Sequence, residues 1–286
     1  MKQNQKNLNL SKELKNKVIL ITGGAGSIGS HLTKKLLEYP IESIRALDID
    51  EHALFQLKRE VNDPRIRLLL GSVLDKERLE MAMSGVDIII HTAAIKNIEI
   101  SEFNPIETID TNVNGLSNII KITEKLKISK MLNISTDKAA EPSTLYGVTK
   151  QLSEKLVHWA GNHVKPTKFA SVRLGNVYET RGNVFEVWEK ELSKNSPLSI
   201  THTSVSRYIF HIDEATEFIL KCLPLMKHGE IFIPKMELYN IKELANNISK
   251  NHKIIGLRKG EKLTEVLITE TEKTTAIEKN NMWIIN

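Results

Sequence analysis

A single cysteine, Cys222, denies this 286-residue chain an internal disulfide or a cysteine-rich metal site. A buried, inert thiol is its expected role. Aromatic residues make up only 5%, and no apolar run approaches the roughly 18 residues that a membrane helix requires. The leader MKQNQKNLNLSKELKN lacks the apolar core of a signal peptide. It reads as a short arm or first helix, with Leu8, Leu10 and Leu14 packing on the body, and the chain as cytoplasmic. Charge of one sign is also missing. The net +5 is spread over interleaved acids and bases, which argues against a nucleic-acid partner. His91, His202 and His211 are scattered without metal-ligand spacing, so no metal is expected.

What remains is an ordinary globular composition, 41% hydrophobic and 26% charged. Short apolar runs, Lys17–Thr22, Ser43–Asp48, Ile66–Gly71, Val86–His91, Lys130–Thr136 and Lys168–Arg173, read as strands. Helical spacing fills the intervals Ser27–Glu38, Glu51–Glu60, Asp75–Met83, Pro105–Leu126 and Thr144–Asn162. This alternation predicts an α/β, Rossmann-like, doubly wound parallel sheet. After Arg173 the pattern is broken by Gly175, Gly182, Pro197, Pro234 and Gly260. The expected organisation is a dinucleotide-binding domain over 1–175, with a return segment near 206–233, and a smaller C-terminal substrate-binding lobe over 176–286.

The first strand runs straight into GGAGSIG and then a helix. Gly23, Gly24, Gly26 and Gly29 permit a tight turn and a close backbone approach to a pyrophosphate. The helix N-terminus, with Ser27 and Ile28, offers unpaired N–H groups to the phosphates. Asp48 ends the second strand nineteen residues after Gly29. A carboxylate there accepts hydrogen bonds from a ribose 2′-OH and repels a 2′-phosphate, which favours NAD, with NADP as the alternative. Asp50 and Glu51 suit helix N-terminal charge.

Tyr146 and Lys150 stand four residues apart at the start of a helix and share a face. The ammonium can lower the tyrosine pKa and hold the nicotinamide ribose, making the phenolate a base for a sugar hydroxyl. Ser135-Thr136-Asp137-Lys138 ends the preceding strand, at the sheet edge where such folds display active-site side chains.

Several separated motifs carry a family resemblance: TGGAGSIG, HTAAIKNIEI, DTNVNG, ISTDKAAEPSTLYGVTK, RLGNVYETRGNV, SRYIFHIDEA and GLRKGEKLTEVLI. Over about residues 16–270 the chain resembles the extended short-chain dehydrogenase/reductase superfamily. Within it, the similarity is to the inverting UDP-N-acetylglucosamine 4,6-dehydratases of the polysaccharide-biosynthesis group. Retaining dehydratases typically carry Thr-Asp-Glu where Thr136-Asp137-Lys138 stands here, and 4-epimerases usually lack that acid–base pair. The resemblance implies that Tyr146 takes the 4-OH proton and Lys138, held neutral by burial or by Lys150, takes the C5 proton. Asp137 then protonates the departing 6-OH, and Thr136 bonds the substrate oxygen near C4. It also implies that Val73 lies near adenine, with Ser72 where Asp is usual, although Asp75 equally suits a helix N-cap. Ala93, Ala94 and Lys96 would line the nicotinamide and substrate cleft, and Asn112 would position catalytic groups or be a satisfied core amide.

For the UDP-sugar, Arg181, Arg207 and Arg258 are the candidate phosphate ligands. Asn176 and Val184 would touch the sugar and the uracil side, and Glu261 the uridine ribose. The alternatives are a UDP-sugar 4-epimerase, a non-inverting 4,6-dehydratase, and a non-catalytic NAD(P)-binding regulator. A homo-oligomer, dimer or larger ring, is implied through the helix carrying Tyr146. Its Leu152, Leu156 and Trp159 suit either an interface or the core.

Overall fold

Residues Val18–Thr22 are all buried, because this strand lies inside a sheet covered on both faces. The computed structural model describes residues 10–286. Leu8 lies outside them, while Leu10 and Leu14 pack into the main core. Glu13 beside them pairs with Lys130, which is buried and also donates to the Leu223 carbonyl at 2.8 Å.

From β1 (Val18–Thr22) the chain alternates through α1 (Ser27–Leu36), β2 (Ser43–Asp48), α2 (Glu51–Glu60), β3 (Ile66–Leu70), α3 (Lys76–Met83) and β4 (Ile88–His91). Two short helices, α4 (Ile98–Phe103) and α5 (Pro105–Ile109), precede α6 (Gly115–Leu126), β5 (Lys130–Thr136), α7 (Leu145–His163) and β6 (Lys168–Leu174). Next come β7 (Asn176–Val177), α8 (Val184–Ser193), β8 (Leu198–Ile200), β9 (Ser206–Phe210), α9 (Ile212–Cys222) and β10 (Glu230–Pro234). The chain closes with β11 (Leu238–Asn240), α10 (Ile241–Ile248), β12 (His252–Ile254), α11 (Glu270–Lys273), β13 (Ile277–Lys279) and β14 (Met282–Ile285).

The large sheet has the order β13-β14-β10-β6-β5-β4-β1-β2-β3. It is the doubly wound, mostly parallel sheet that the sequence predicts. In β1, Ile19 pairs with Ile44 on one side and Ile88 on the other. Strand order reverses at that point, so a crevice opens beyond the carboxyl ends of β1 and β4. Two smaller sheets, β11-β9-β7 and β12-β8, share an apolar cluster of Trp188, Leu198, Ile200, Val205, Ile241 and Ala245.

Three features differ from the expectation. Residues 277–285, assigned on sequence to the small lobe, form β13 and β14 of the large sheet, where β14 runs antiparallel to β10 and covers that strand's open edge. Within the return segment near 206–233, β9 stays with a small sheet, while α9 packs on α1 and β10 joins β6. The single helix expected over 105–126 is also broken. Asp110–Asn114 widens into a π turn between α5 and α6, a local change that turns Asn112 inward.

Candidate active site

The crevice begins at the turn after β1. Gly23 has φ +67°, and a Cβ there would lie 2.7 Å from the Ala93 amide nitrogen. At Gly29 a Cβ would meet the Gly23 carbonyl at 2.2 Å, so α1 docks on the turn only without side chains. Gly26 caps α1 without any side-chain bond, which leaves first-turn amides, including those of Ser27 and Ile28, for an anion. Asp48 accepts from the Ala25 amide at 2.9 Å and the Asp50 amide at 3.1 Å, which ties the acid to the glycine turn. Asp50 itself caps α2. This cradle fits the pyrophosphate and ribose of a dinucleotide. Sequence reasoning passed over Ile49, which is 73% exposed beside Asp48.

Around the adenine side, Val73 is buried against Gly115, and Ser72 spends its hydroxyl on the Leu74 amide at 3.1 Å. Asp75 caps α3, so the plain helix-cap reading holds for it. Ala93 and Ala94 are half-buried just beyond β4. Asn112 accepts from the Ile95 amide at 2.8 Å and donates to the Ile95 carbonyl and the Thr149 hydroxyl, each at 3.0 Å. Its amide braces the β4 loop to α7, as a positioning or satisfied core amide would.

The catalytic candidates come together between β5 and α7. Thr136 ends β5, and Asp137–Ala139 turns the chain. Thr144 caps α7, whose first turn carries Tyr146 and whose second carries Lys150. Gly147 allows this docking, since a Cβ there would lie 2.6 Å from the Lys138 carbonyl. The Thr136 hydroxyl donates to Asp137 Oδ1 at 2.9 Å and Lys138 Nζ to the same oxygen at 3.0 Å. Among the described residues, Asp137 Oδ2 is buried without a hydrogen-bond partner, an acceptor that a ligand could use.

Burial, with the Asp137 carboxylate adding to it, pushes the Tyr146 phenol up, against a hydrogen bond from Thr136. The sequence reading had Lys150 lowering this pKa. In the structure Lys150 Nζ donates to the Ile134 carbonyl at 2.5 Å, and burial dominates instead. Burial also lowers Lys150 to about 8, opposed by Glu154. A second correction concerns Lys138, whose charged neighbours are Asp137 and Glu265 at 3.7 Å rather than Lys150. His91 lies in the core with its Nδ1 2.6 Å from the Thr22 hydroxyl, and burial together with Lys150 holds it down at about 3.

Behind this cluster stands a buried ion network that sequence reasoning missed. Arg173 pairs with Glu154 at 2.7 Å and Glu272 at 2.8 Å, and donates to the Leu267 carbonyl at 2.9 Å. Burial alone would lower the guanidinium pKa, but the bonds to both carboxylates outweigh it and raise it. Ser135 donates to Glu154 at 2.6 Å. The i, i+4 repeat Tyr146, Lys150, Glu154 was the sequence signal.

The lobe candidates divide into two groups. Arg207 pairs with Glu261 at 2.9 Å, and Glu261 also accepts from Thr201 and the Arg258 amide. The Arg258 side chain is more than half exposed and faces Glu99 at 3.6 Å. Ser143 donates to the Gly260 carbonyl at 2.7 Å, which seats this loop near the start of α7. Asn176 donates to the Tyr208 carbonyl at 3.3 Å, and Val184 packs on the lobe's apolar cluster.

Arg181 is elsewhere. Its amide donates to the Ser27 hydroxyl at 3.0 Å, its carbonyl accepts from Lys96 at 2.8 Å, and its guanidinium faces Asp50 at 4.0 Å. It thus crosses the glycine turn on the dinucleotide side, away from Arg207 and Arg258. Burial lowers the Lys96 pKa, with Glu186 acting against it.

A family described as polysaccharide biosynthesis protein matches residues 19–286. The chain is 41% identical over 276 residues to an inverting UDP-N-acetylglucosamine 4,6-dehydratase of Campylobacter jejuni, covering 94% of this chain and 83% of that protein. It is 40% identical over 291 residues to an uncharacterized membrane protein of Methanocaldococcus jannaschii, covering 96% and 87% respectively. Among the described residues, no helix is long and apolar enough to cross a membrane. The solved structure of Pen from Bacillus thuringiensis matches with a TM-score of 0.91 at 32% identity, over 95% of this chain and 90% of that one.

Proposed function

The chain belongs to the polysaccharide biosynthesis protein family, and from that premise we propose that it is an NAD-dependent 4,6-dehydratase acting on UDP-N-acetylglucosamine with inversion at C5. One observation carries the reading: Thr136, Asp137, Lys138 and Tyr146 converge at the carboxyl edge of the sheet, with one Asp137 oxygen buried and unpartnered. NAD, when bound, would supply a reversible hydride acceptor for C4 and hydride donor for C6. Gly23, Gly26, Ser27, Ile28 and Gly29 would hold its phosphates and Asp48 its adenosine ribose.

The protein's own side chains move the protons. Tyr146 takes the 4-OH proton, and positive charge from Lys150 and the bound nicotinamide acts against burial to make its phenolate accessible. The 4-ketone acidifies C5. The hydrogen bond between Lys138 and Asp137 lets one proton pass from ammonium to carboxylate, which leaves an amine base beside a carboxylic acid. Lys138 then takes the C5 proton, the electron pair forms the C5–C6 double bond, and the 6-hydroxyl leaves as water with the Asp137 proton. C5 is reprotonated on the opposite face by a proton equivalent to the one Tyr146 received. The elimination itself returns Lys138 to ammonium and Asp137 to carboxylate, so the pair ends as it began. Arg207 and Arg258 bind the UDP phosphates in this scheme.

Incubation with UDP-N-acetylglucosamine in deuterated water tests the proposal. The expected product has lost one water and carries deuterium at an inverted C5. A C4 epimer with no water lost would sink the dehydratase reading, and deuterium at a retained C5 would sink inversion.

The same reading includes a second copy of the chain. Ile100, Phe103, Ile106, Ile109, Val148 and Leu152 are exposed on α4, α5 and α7, which pack against one another. So broad an apolar face, on the helix where the resemblance places a subunit contact, is suited to a two-fold dimer.

A further inference from the structure

Glu265 is a buried acid without a structural partner to account for it. Only 5% of it is exposed. Among the described residues its carboxylate accepts no hydrogen bond, and the one cation within reach is Lys138 Nζ at 3.7 Å. A buried carboxylate whose only counterion is one distant ammonium is costly, so such a placement needs a return. The backbone around it is held on both sides. Leu263 accepts from the Ser206 amide at 2.8 Å, Thr264 pairs with Ser206, and Leu267 accepts from Arg173 at 2.9 Å. This segment of the small lobe thus carries one carboxylate to the catalytic turn and fixes it there.

We infer that Glu265 is a positioning residue for C5 deprotonation, aiming the Lys138 amine and stabilising the ammonium that it becomes. The inference rests on the dehydratase reading and extends it to a residue in the small lobe. In the elimination step Lys138 goes from amine to ammonium as Asp137 goes from acid to carboxylate, so positive charge appears beside Glu265 as the C5–H bond breaks. Relative to the amine–acid pair that immediately precedes the step, a fixed anion there is stronger in the transition state, and that difference accelerates C5–H cleavage. Tyr146 and the C4 oxidation lie outside its reach, so the two half-reactions should separate.

Glu265→Gln keeps the size and removes the charge. Its C5 deuterium wash-in and its kcat are expected to fall about 100-fold, the lower range for a group serving proton transfer, with KM unchanged. C4 oxidation, followed by near-ultraviolet absorbance of the reduced cofactor, should persist, so the reduced form accumulates. Glu265→Asp should restore part of the C5 exchange. Wild-type C5 exchange in Glu265→Gln, or equal loss of oxidation and exchange in both variants, would overturn the inference. If the unaltered protein neither loses water nor exchanges C5, the dehydratase reading itself falls, a result the wild-type arm shows independently of the variants.

Discussion

In the proposed mechanism Lys150 answers two opposed demands: it serves the cofactor and the tyrosine as a cation, and it is buried. Burial wins by lowering it from 10.5 to about 8, which at 1.36 kcal/mol per unit is a folding penalty of about 3 kcal/mol at neutral pH. Below pH about 8 both folded and unfolded chains hold the proton, and the penalty is present in full. As pH rises from there towards 10.5, the folded state releases its proton first, so stability climbs. Lys150→Met should therefore be more stable than the unaltered protein at pH 7 in thermal melts, with the advantage vanishing towards pH 10. Activity should move the other way, falling about 100-fold or more. The Tyr-x-x-x-Lys spacing was legible in the sequence because it lies on one helix. Glu265 was not, because 127 residues separate it from Lys138 and only folding brings them together.

At the scale of elements, the Arg173 network ties β5, β6, α7 and α11 at one point. Glu154 is held by Arg173 and Ser135, both fully enclosed with it. Arg173→Met should cost about 3–5 kcal/mol in urea unfolding, because it strands a buried carboxylate. The double change Arg173→Met with Glu154→Leu should recover most of that loss. If the double variant is as unstable as the single one, lost packing rather than a stranded charge is the cause. Element types were readable from apolar periodicity. The π turn at Asp110–Asn114 was not, since it is set by Asn112 reaching Ile95 and Thr149 across the fold.

For the whole molecule, the proposed dimer would form through the exposed apolar face of α4, α5 and α7. Phe103 is 86% exposed and Leu152 43%. The double change Phe103→Asp and Leu152→Glu should convert a dimer to a monomer in sedimentation velocity, while thermal stability at the single-chain level is retained. A monomeric unaltered protein would exclude the two-fold assembly through this face.

Sequence alone determined the α/β class, the dinucleotide cradle and the Thr136–Lys150 constellation. Each is local: a glycine turn, a strand-ending acid or an i, i+4 pair acts within a few residues, so its physics is written in spacing. Tertiary structure decided where Arg181 lies, what surrounds Lys138, where the last two strands pair and what Asn112 bonds. Those depend on desolvation and on partners distant in the chain. Burial and long-range pairing are properties of the packed fold, and no residue's sequence neighbours encode them.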